Sequence, residues 1–207
     1  MVKMDHTGLL VATGNPGKVT ELREMLAGLP IDLLSLADFP HVVEVEETGA
    51  TFAENALIKA SGYARQTGHA ALADDSGLEV AALDNRPGVL SARYAGEQTP
   101  FSEKIVKLLA ELERSGAKDR SARFVCSIAV TDENGQLLYS AEGICEGHLA
   151  PNPRGSGGFG YDPIFVPDGF DLTFGELSQA IKNQISHRAR AFGQIIPSLR
   201  DFIEVSA

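Results

Sequence analysis

The amino-acid sequence predicts an α/β protein built on a mixed β-sheet, and three observations carry that prediction. A short apolar run, Leu9 to Thr13, is broken by Gly14-Asn15-Pro16-Gly17 and followed by helical spacing, which is the pattern of strand, tight loop and helix. Two long strand-like runs flank Asn134-Gly135, a strong short-range hairpin signal, so part of the sheet is antiparallel. Helical periodicity returns between the strand-like runs, so other strands are joined by helical crossovers and lie parallel.

In chain order, Leu9 to Thr13 reads as a buried strand, and Val19, Leu22, Met25 and Leu26 mark one face of a helix over Lys18 to Ala27. Ile31 to Leu36 suggests a second strand, followed by the irregular acidic stretch Glu44 to Gly49. Thr51 with Glu54 forms a capping box, and Phe52, Ala56, Ala60 and Tyr63 continue a helix to about Thr67. Ala70 to Ala73 reads as a strand ending in a polar turn, Asp74-Asp75-Ser76-Gly77, with another strand over Leu78 to Leu83. Ser102 to Arg114 is an amphipathic helix through Ile105, Leu108, Leu109 and Leu112. Ser121 to Thr131 and Gln136 to Leu149 are the hairpin strands, Pro151 to Gly160 is a glycine-rich loop, and the chain is helical from about Glu176. Ser186 can cap a last helix that Pro197 should kink.

The composition narrows the function. The 207 residues carry 18 Lys plus Arg against 28 Asp plus Glu, a formal net charge of −10, which argues against a nucleic-acid binder with a basic face. An anionic small molecule is still compatible, provided that cations and backbone amides are concentrated locally. No apolar run is long enough to span a membrane, and only Gly8 to Thr13 is uncharged and apolar near the start, so no secretory signal is expected. Cys126 and Cys145 match no disulfide framework and no zinc spacing, in keeping with a reducing, cytoplasmic setting.

Four sets of residues carry candidate chemistry. Thr13-Gly14-Asn15-Pro16-Gly17-Lys18 places glycines and a lysine where free amides at a helix start favour an anion. It departs from a Walker A loop at both ends, with Ala12 in place of the first glycine and Val19 in place of a magnesium-binding hydroxyl. Asp74 and Asp75 offer hard oxygen ligands suited to Mg²⁺, with Glu46 or Glu47 as a second carboxylate. Gly155 to Asp162 embeds Phe159 and Tyr161 in a glycine-rich loop, where an aromatic face can stack on a base and a carboxylate can accept from a purine N–H. Lys182 and Ser186-His187-Arg188 add donors near helix starts. An aspartyl-phosphate phosphatase is disfavoured because Asp74-Asp75-Ser76-Gly77 lacks D-x-D spacing.

Taken together, the segments TGNPGK at 13–18, EETGATFAENALIKA at 46–60, ADDSGLEV at 73–80, PGVLSARYAG at 87–96, GGFGYDPIF at 157–165 and SHR at 186–188 resemble the inosine triphosphate pyrophosphatases along nearly the whole chain. One departure is Ala180-Ile181 before Lys182, where relatives commonly carry acidic residues.

The resemblance implies a single domain over 1–207, with an elongated mixed sheet flanked by helices and two lobes with a cleft between them. It implies hydrolysis of ITP, dITP and XTP to the monophosphate and pyrophosphate, by a cytoplasmic homodimer that engages neither nucleic acid nor membrane. Thr13 to Lys18 and Lys59 would hold the triphosphate, and Glu46 and Asp75 would hold Mg²⁺, with Asp75 also the general base. Phe159 would stack on the base, Gly160, Tyr161 and Asp162 would line its edge, Ser76 and Lys182 would orient sugar or phosphate, and His187-Arg188 would contact the base.

Overall fold

A computed structural model of the chain describes residues 8–206. The elements are β1 (Gly8–Val11), α1 (Pro16–Leu26), β2 (Asp32–Ser35), α2 (Phe52–Thr67), β3 (Ala70–Val80), β4 (Arg86–Pro87), α3 (Phe101–Ser115), β5 (Ser121–Thr131), β6 (Leu137–Leu149), β7 (Phe165–Pro167), α4 (Gln179–Ile185) and α5 (His187–Ser206). One mixed sheet runs in the order β2-β1-β3-β5-β6-β7, with β4 paired to β3, so the expected α/β class is borne out. By backbone contacts the chain divides into two compact units. One comprises the chain up to Asp75, Ser127–Glu142 and the part from Ala191 on; the other comprises Ser76–Cys126 and Gly143–Arg190.

In the first unit β1 is parallel to β2, pairing Leu10 with Leu34, and parallel to β3, pairing Leu10 with Ala71. The core here is rich in small residues: Ala56, Ala60 and Ala64 of α2 meet Ala71 and Ala73 of β3, which brings helix and sheet close together. Helix α2 starts on the expected capping box, with Thr51 Oγ1 accepting from Glu54 N at 3.2 Å and Glu54 Oε2 accepting from Thr51 N at 3.1 Å. The hairpin of β5 and β6 turns through a longer connection than Asn134-Gly135 alone would need. Asp132 Oδ1 accepts from Asn134 N at 2.9 Å and Gln136 N at 2.7 Å, and Ser61 Oγ of α2 donates to Gly135 O at 2.8 Å.

In the second unit β4 is antiparallel to β3 and β7 is antiparallel to β6. The core gathers Leu78, Leu108, Leu112, Phe124, Phe165 and Phe174, with the Phe124 and Phe165 rings edge to face at 4.7 Å. Helix α3 follows its predicted stripe, burying Ile105, Leu108, Leu109 and Leu112, and buries Lys104 as well.

Three local expectations change. Asp74-Asp75-Ser76-Gly77 is not a turn, because β3 runs unbroken from Ala70 to Val80 and both carboxylates sit inside it. Each is paired with a lysine, which removes the usual objection to charge in a buried strand. The expected strand over Leu78 to Leu83 therefore shortens, and Ala81–Leu83 forms a 3₁₀ turn. Helix α4 begins at Gln179 and not at Glu176, since Glu176 Oε2 is engaged in a turn with Thr173 N at 2.9 Å.

Candidate active site

The residues singled out by sequence fall into two groups, one in each unit. In the first, Asn15 is the N-cap of α1 and Pro16 is the first helical residue, the position where a missing N–H costs nothing. Asn15 Oδ1 accepts from Gly17 N at 2.9 Å and Lys18 N at 3.2 Å, and Thr13 Oγ1 accepts from Asn15 N at 3.2 Å. The amides expected to be free for an anion are thus held by the loop's own side chains, and a phosphate must compete with them. The cation is in place: Lys18 Nζ lies 3.0 Å from Asp74 Oδ2, whose side chain is fully buried.

Successive residues of β3 face opposite sides. Asp74 takes Lys18, and Asp75 takes Lys59, with Nζ 3.4 Å from Asp75 Oδ1 and 2.9 Å from Glu47 Oε1. Glu46 is exposed, and it is Glu47 that reaches this group. Asn55, fully buried in α2, donates from Nδ2 to Asp75 Oδ2 at 3.1 Å and accepts from Gly49 N at 2.8 Å, fixing both the carboxylate and the approach of the acidic segment. Sequence reasoning missed Asn55, although its spacing of i, i+4 from Lys59 places the two on one helix face.

Burial pushes the Asp75 carboxyl above the ordinary range, aided by the negative charge of Glu47, and Lys59 and Lys18 offset this only in part. Burial works against the charge of Lys59, but Asp75, Asp74 and Glu47 outweigh it and hold its ammonium above an ordinary lysine. The result is a carboxylate of increased basicity beside a permanently charged donor. Two carboxylates also converge on one cationic position, which Lys59 fills. Among the described residues no three His, Cys, Asp or Glu side chains gather into a metal cage. A pair of carboxylates nonetheless suits Mg²⁺, which takes one or two from protein and the rest from water and phosphate.

The second group is organised around Asp162. Its Oδ2 accepts from Lys182 Nζ at 2.7 Å and from Phe159 N at 2.8 Å, with both charged side chains buried. Gly158 has φ of 71°, and a Cβ there would lie 2.0 Å from Asp162 Oδ2, so only glycine permits this closure. Phe159, 36% exposed, presents its ring beneath two cations, Lys182 Nζ at 5.6 Å and the Arg188 guanidinium at 5.7 Å. Arg188 Nη2 donates to Ser76 Oγ at 3.1 Å. Gly160 follows Phe159 with φ of 67°. His187 stacks on Phe124 at 4.7 Å and 12°, and Tyr161 is buried with its hydroxyl donating to Ser91 O at 3.1 Å.

A model of the Ham1 family matches residues 9–198. The dITP/XTP pyrophosphatase of Oceanobacillus iheyensis is 47% identical over 188 residues, covering 90% of this chain and 95% of that protein. The dITP/XTP pyrophosphatase of Geobacter sulfurreducens is 51% identical over 185 residues, covering 89% and 92%. Among solved structures, a HAM1 protein from Coxiella burnetii superposes with a TM-score of 0.88 at 45% identity, covering 94% of this chain and 99% of that one. These matches bear out the resemblance drawn from the motifs, and the chain belongs to the Ham1 family.

Proposed function

We propose that this chain hydrolyses non-standard purine nucleoside triphosphates, ITP, dITP and XTP, to the nucleoside monophosphate and pyrophosphate. The grouping of Asp75, Lys59 and Glu47 carries this conclusion, because it joins a base of raised pKa to a fixed cation in a chain about half identical to dITP/XTP pyrophosphatases.

In this mechanism Lys18 and Lys59 bind the polyphosphate and neutralise charge as it develops on the leaving pyrophosphate. Asp75 accepts the proton of the water that attacks the α-phosphorus, and Asn55 holds the carboxylate in orientation through its 3.1 Å hydrogen bond. Asp75 and a glutamate of the Glu46–Glu47 pair would hold Mg²⁺, which supplies charge neutralisation and lowers the pKa of a bound water. Phe159 offers a face for the purine, with Gly160, Tyr161 and Asp162 in the loop beside it, and Arg188, with His187 next to it at the start of α5, would contact the base. An O6 carbonyl satisfies a cationic or amide donor that adenine's amine would leave unpaired, a difference of about 1–3 kcal/mol per donor. Ser76 and Lys182 orient the sugar or phosphate. A homodimer in the cytoplasm is the expected setting, supported by the motif resemblance; among the described residues no helix is long and apolar enough to cross a membrane.

The test is a panel of purified nucleoside triphosphates with Mg²⁺, scored for pyrophosphate against orthophosphate. Pyrophosphate from ITP, dITP and XTP and little from ATP is the expected outcome. Orthophosphate as the product, or no turnover of ITP, would overturn it, the second outcome pointing to a nucleotide-sensing module.

A further inference from the structure

The segment Gly88 to Ala92 lies outside the chemistry above, yet its carbonyls at Gly88, Ser91 and Ala92 all accept hydrogen bonds from side chains. Ser91 is 4% exposed. Its Oγ accepts from Leu78 N at 2.9 Å and donates to Gly88 O at 2.6 Å, while its carbonyl accepts from Tyr161 OH at 3.1 Å. The neighbouring Ala92 carbonyl accepts from the buried ammonium of Lys104, which also sits over the Phe101 ring at 4.8 Å. Phe101 in turn meets Tyr161 edge to face at 5.3 Å.

These contacts connect two places that matter for the base. Leu78 stands two residues beyond Ser76, the acceptor of the Arg188 guanidinium. Tyr161 stands between Gly160 and Asp162, the carboxylate that fixes Phe159 N and Lys182. Tyr161 is 2% exposed and its hydroxyl is already committed, so its side chain is placed to anchor the loop and not to touch a ligand. We infer that Ser91 and Tyr161 are positioning residues for purine recognition: through one serine they lock the Phe159–Asp162 loop to the strand that carries Ser76. This inference rests on the second group being the purine site. Base discrimination needs the stacking face and the edge donors held together to within a fraction of an ångström, and neither group can supply that by itself.

The experiment measures Tyr161→Phe and Ser91→Ala against the wild type in two ways. One is calorimetric binding of a non-hydrolysable inosine triphosphate analogue and its adenosine counterpart. The other is steady-state kinetics on ITP and ATP. Each folded variant should bind the inosine analogue about five- to tenfold more weakly, the scale of one lost ordering hydrogen bond. The adenosine analogue should change less, so that the inosine-to-adenosine preference shrinks. KM for ITP should rise with kcat within about twofold, since the phosphate-handling residues are untouched. Equal weakening for both bases, or unchanged affinity and KM in folded Tyr161→Phe, overturns the inference. Should Ser91→Ala fail to fold, Tyr161→Phe decides alone, because it removes only a hydroxyl. A wild type that binds the inosine analogue but releases no pyrophosphate overturns the proposed hydrolysis and leaves the binding comparison to judge this inference.

Discussion

Lys59 lies 3.4 Å from Asp75, yet the carboxyl it accompanies is held above the ordinary aspartate range. Burial and the like charge of Glu47 together exceed the pull of the ammonium. The two neighbours therefore act on Asp75 in opposite directions. Substituting Lys59 by Met should raise the Asp75 titration further, and substituting Glu47 by Gln should lower it, as read by carbon NMR of the side-chain carboxyls in the metal-free protein. Movement in the same direction for both variants would contradict the arrangement.

The same shift has a sign for stability. Because the folded pKa is raised above the ordinary 3.8, Asp75 contributes stability that is fully present below that value and lost as pH rises through the folded pKa. Above the folded pKa the buried carboxylate is charged at a cost that burial sets. Asp75→Asn should lose at least about 10²- to 10⁴-fold in turnover. A variant with retained turnover would remove Asp75 from the role of base.

Glu46 and Glu47 make a second separation possible. Glu47 reaches Lys59 at 2.9 Å and Glu46 is exposed, so Glu47→Gln should raise the Mg²⁺ concentration for half activity at least roughly tenfold, with Glu46→Gln near wild type. A titration of activity against Mg²⁺ distinguishes them, and the reverse result would return the ligand role to Glu46.

How much of this was legible in the sequence follows from how local each signal is. Thr51 with Glu54 declares a helix start through contacts within a few residues and formed as read, whereas α1 starts at Pro16, two residues before the expected Lys18, because Asn15 caps it. Asp74-Asp75 misled because two acids in a row look like a turn until the lysines that neutralise them are seen, and Lys18 and Lys59 come from other elements. Spacing does not separate Glu47 from Glu46, because the contact that distinguishes Glu47 is to a lysine in α2, and the resemblance points to Glu46. The stretch from Pro151 to Gly160 shows in the sequence only as a glycine-rich loop. Its order comes from bonds to residues far along the chain, such as Arg154 N to Pro163 O at 2.8 Å and Gly157 N to Gly175 O at 2.9 Å.

Lys182 and Asp162 form a buried pair at 2.7 Å, and removing one partner leaves the other charge desolvated. Lys182→Met should cost roughly 3–5 kcal/mol in urea unfolding. The double variant Lys182→Met with Asp162→Asn should recover part of that loss without recovering activity. If the single variant is as stable as wild type, Asp162 is not held as described.

Cys145 is buried, and that burial pushes its thiol up to about 11, well above an ordinary cysteine. Since the thiolate is the reactive form, iodoacetamide at pH 8 should leave Cys145 unmodified in the folded protein and alkylate it promptly in urea, as mass spectrometry would show.

Gly155 offers the sharpest probe of the loop as a built element. Its φ is 78°, and a Cβ there would lie 2.1 Å from the Gly175 carbonyl oxygen, backbone that has little room to retreat. That carbonyl accepts from Gly157 N, and Gly175 N donates to Asp162 O at 3.0 Å, so displacing it disturbs the stretch that presents Phe159 and Asp162. Gly155→Ala should therefore raise KM for ITP several-fold and lower the unfolding midpoint, with kcat less affected because Asp75 and Lys59 belong to the first unit. Gly169→Ala is the matched control. Its φ of 85° imposes a similar backbone strain, but a Cβ there meets nothing within 4 Å, so stability should fall without a change in KM. Equal KM effects in the two variants would mean that backbone strain, and not the contact with Gly175, governs the loop.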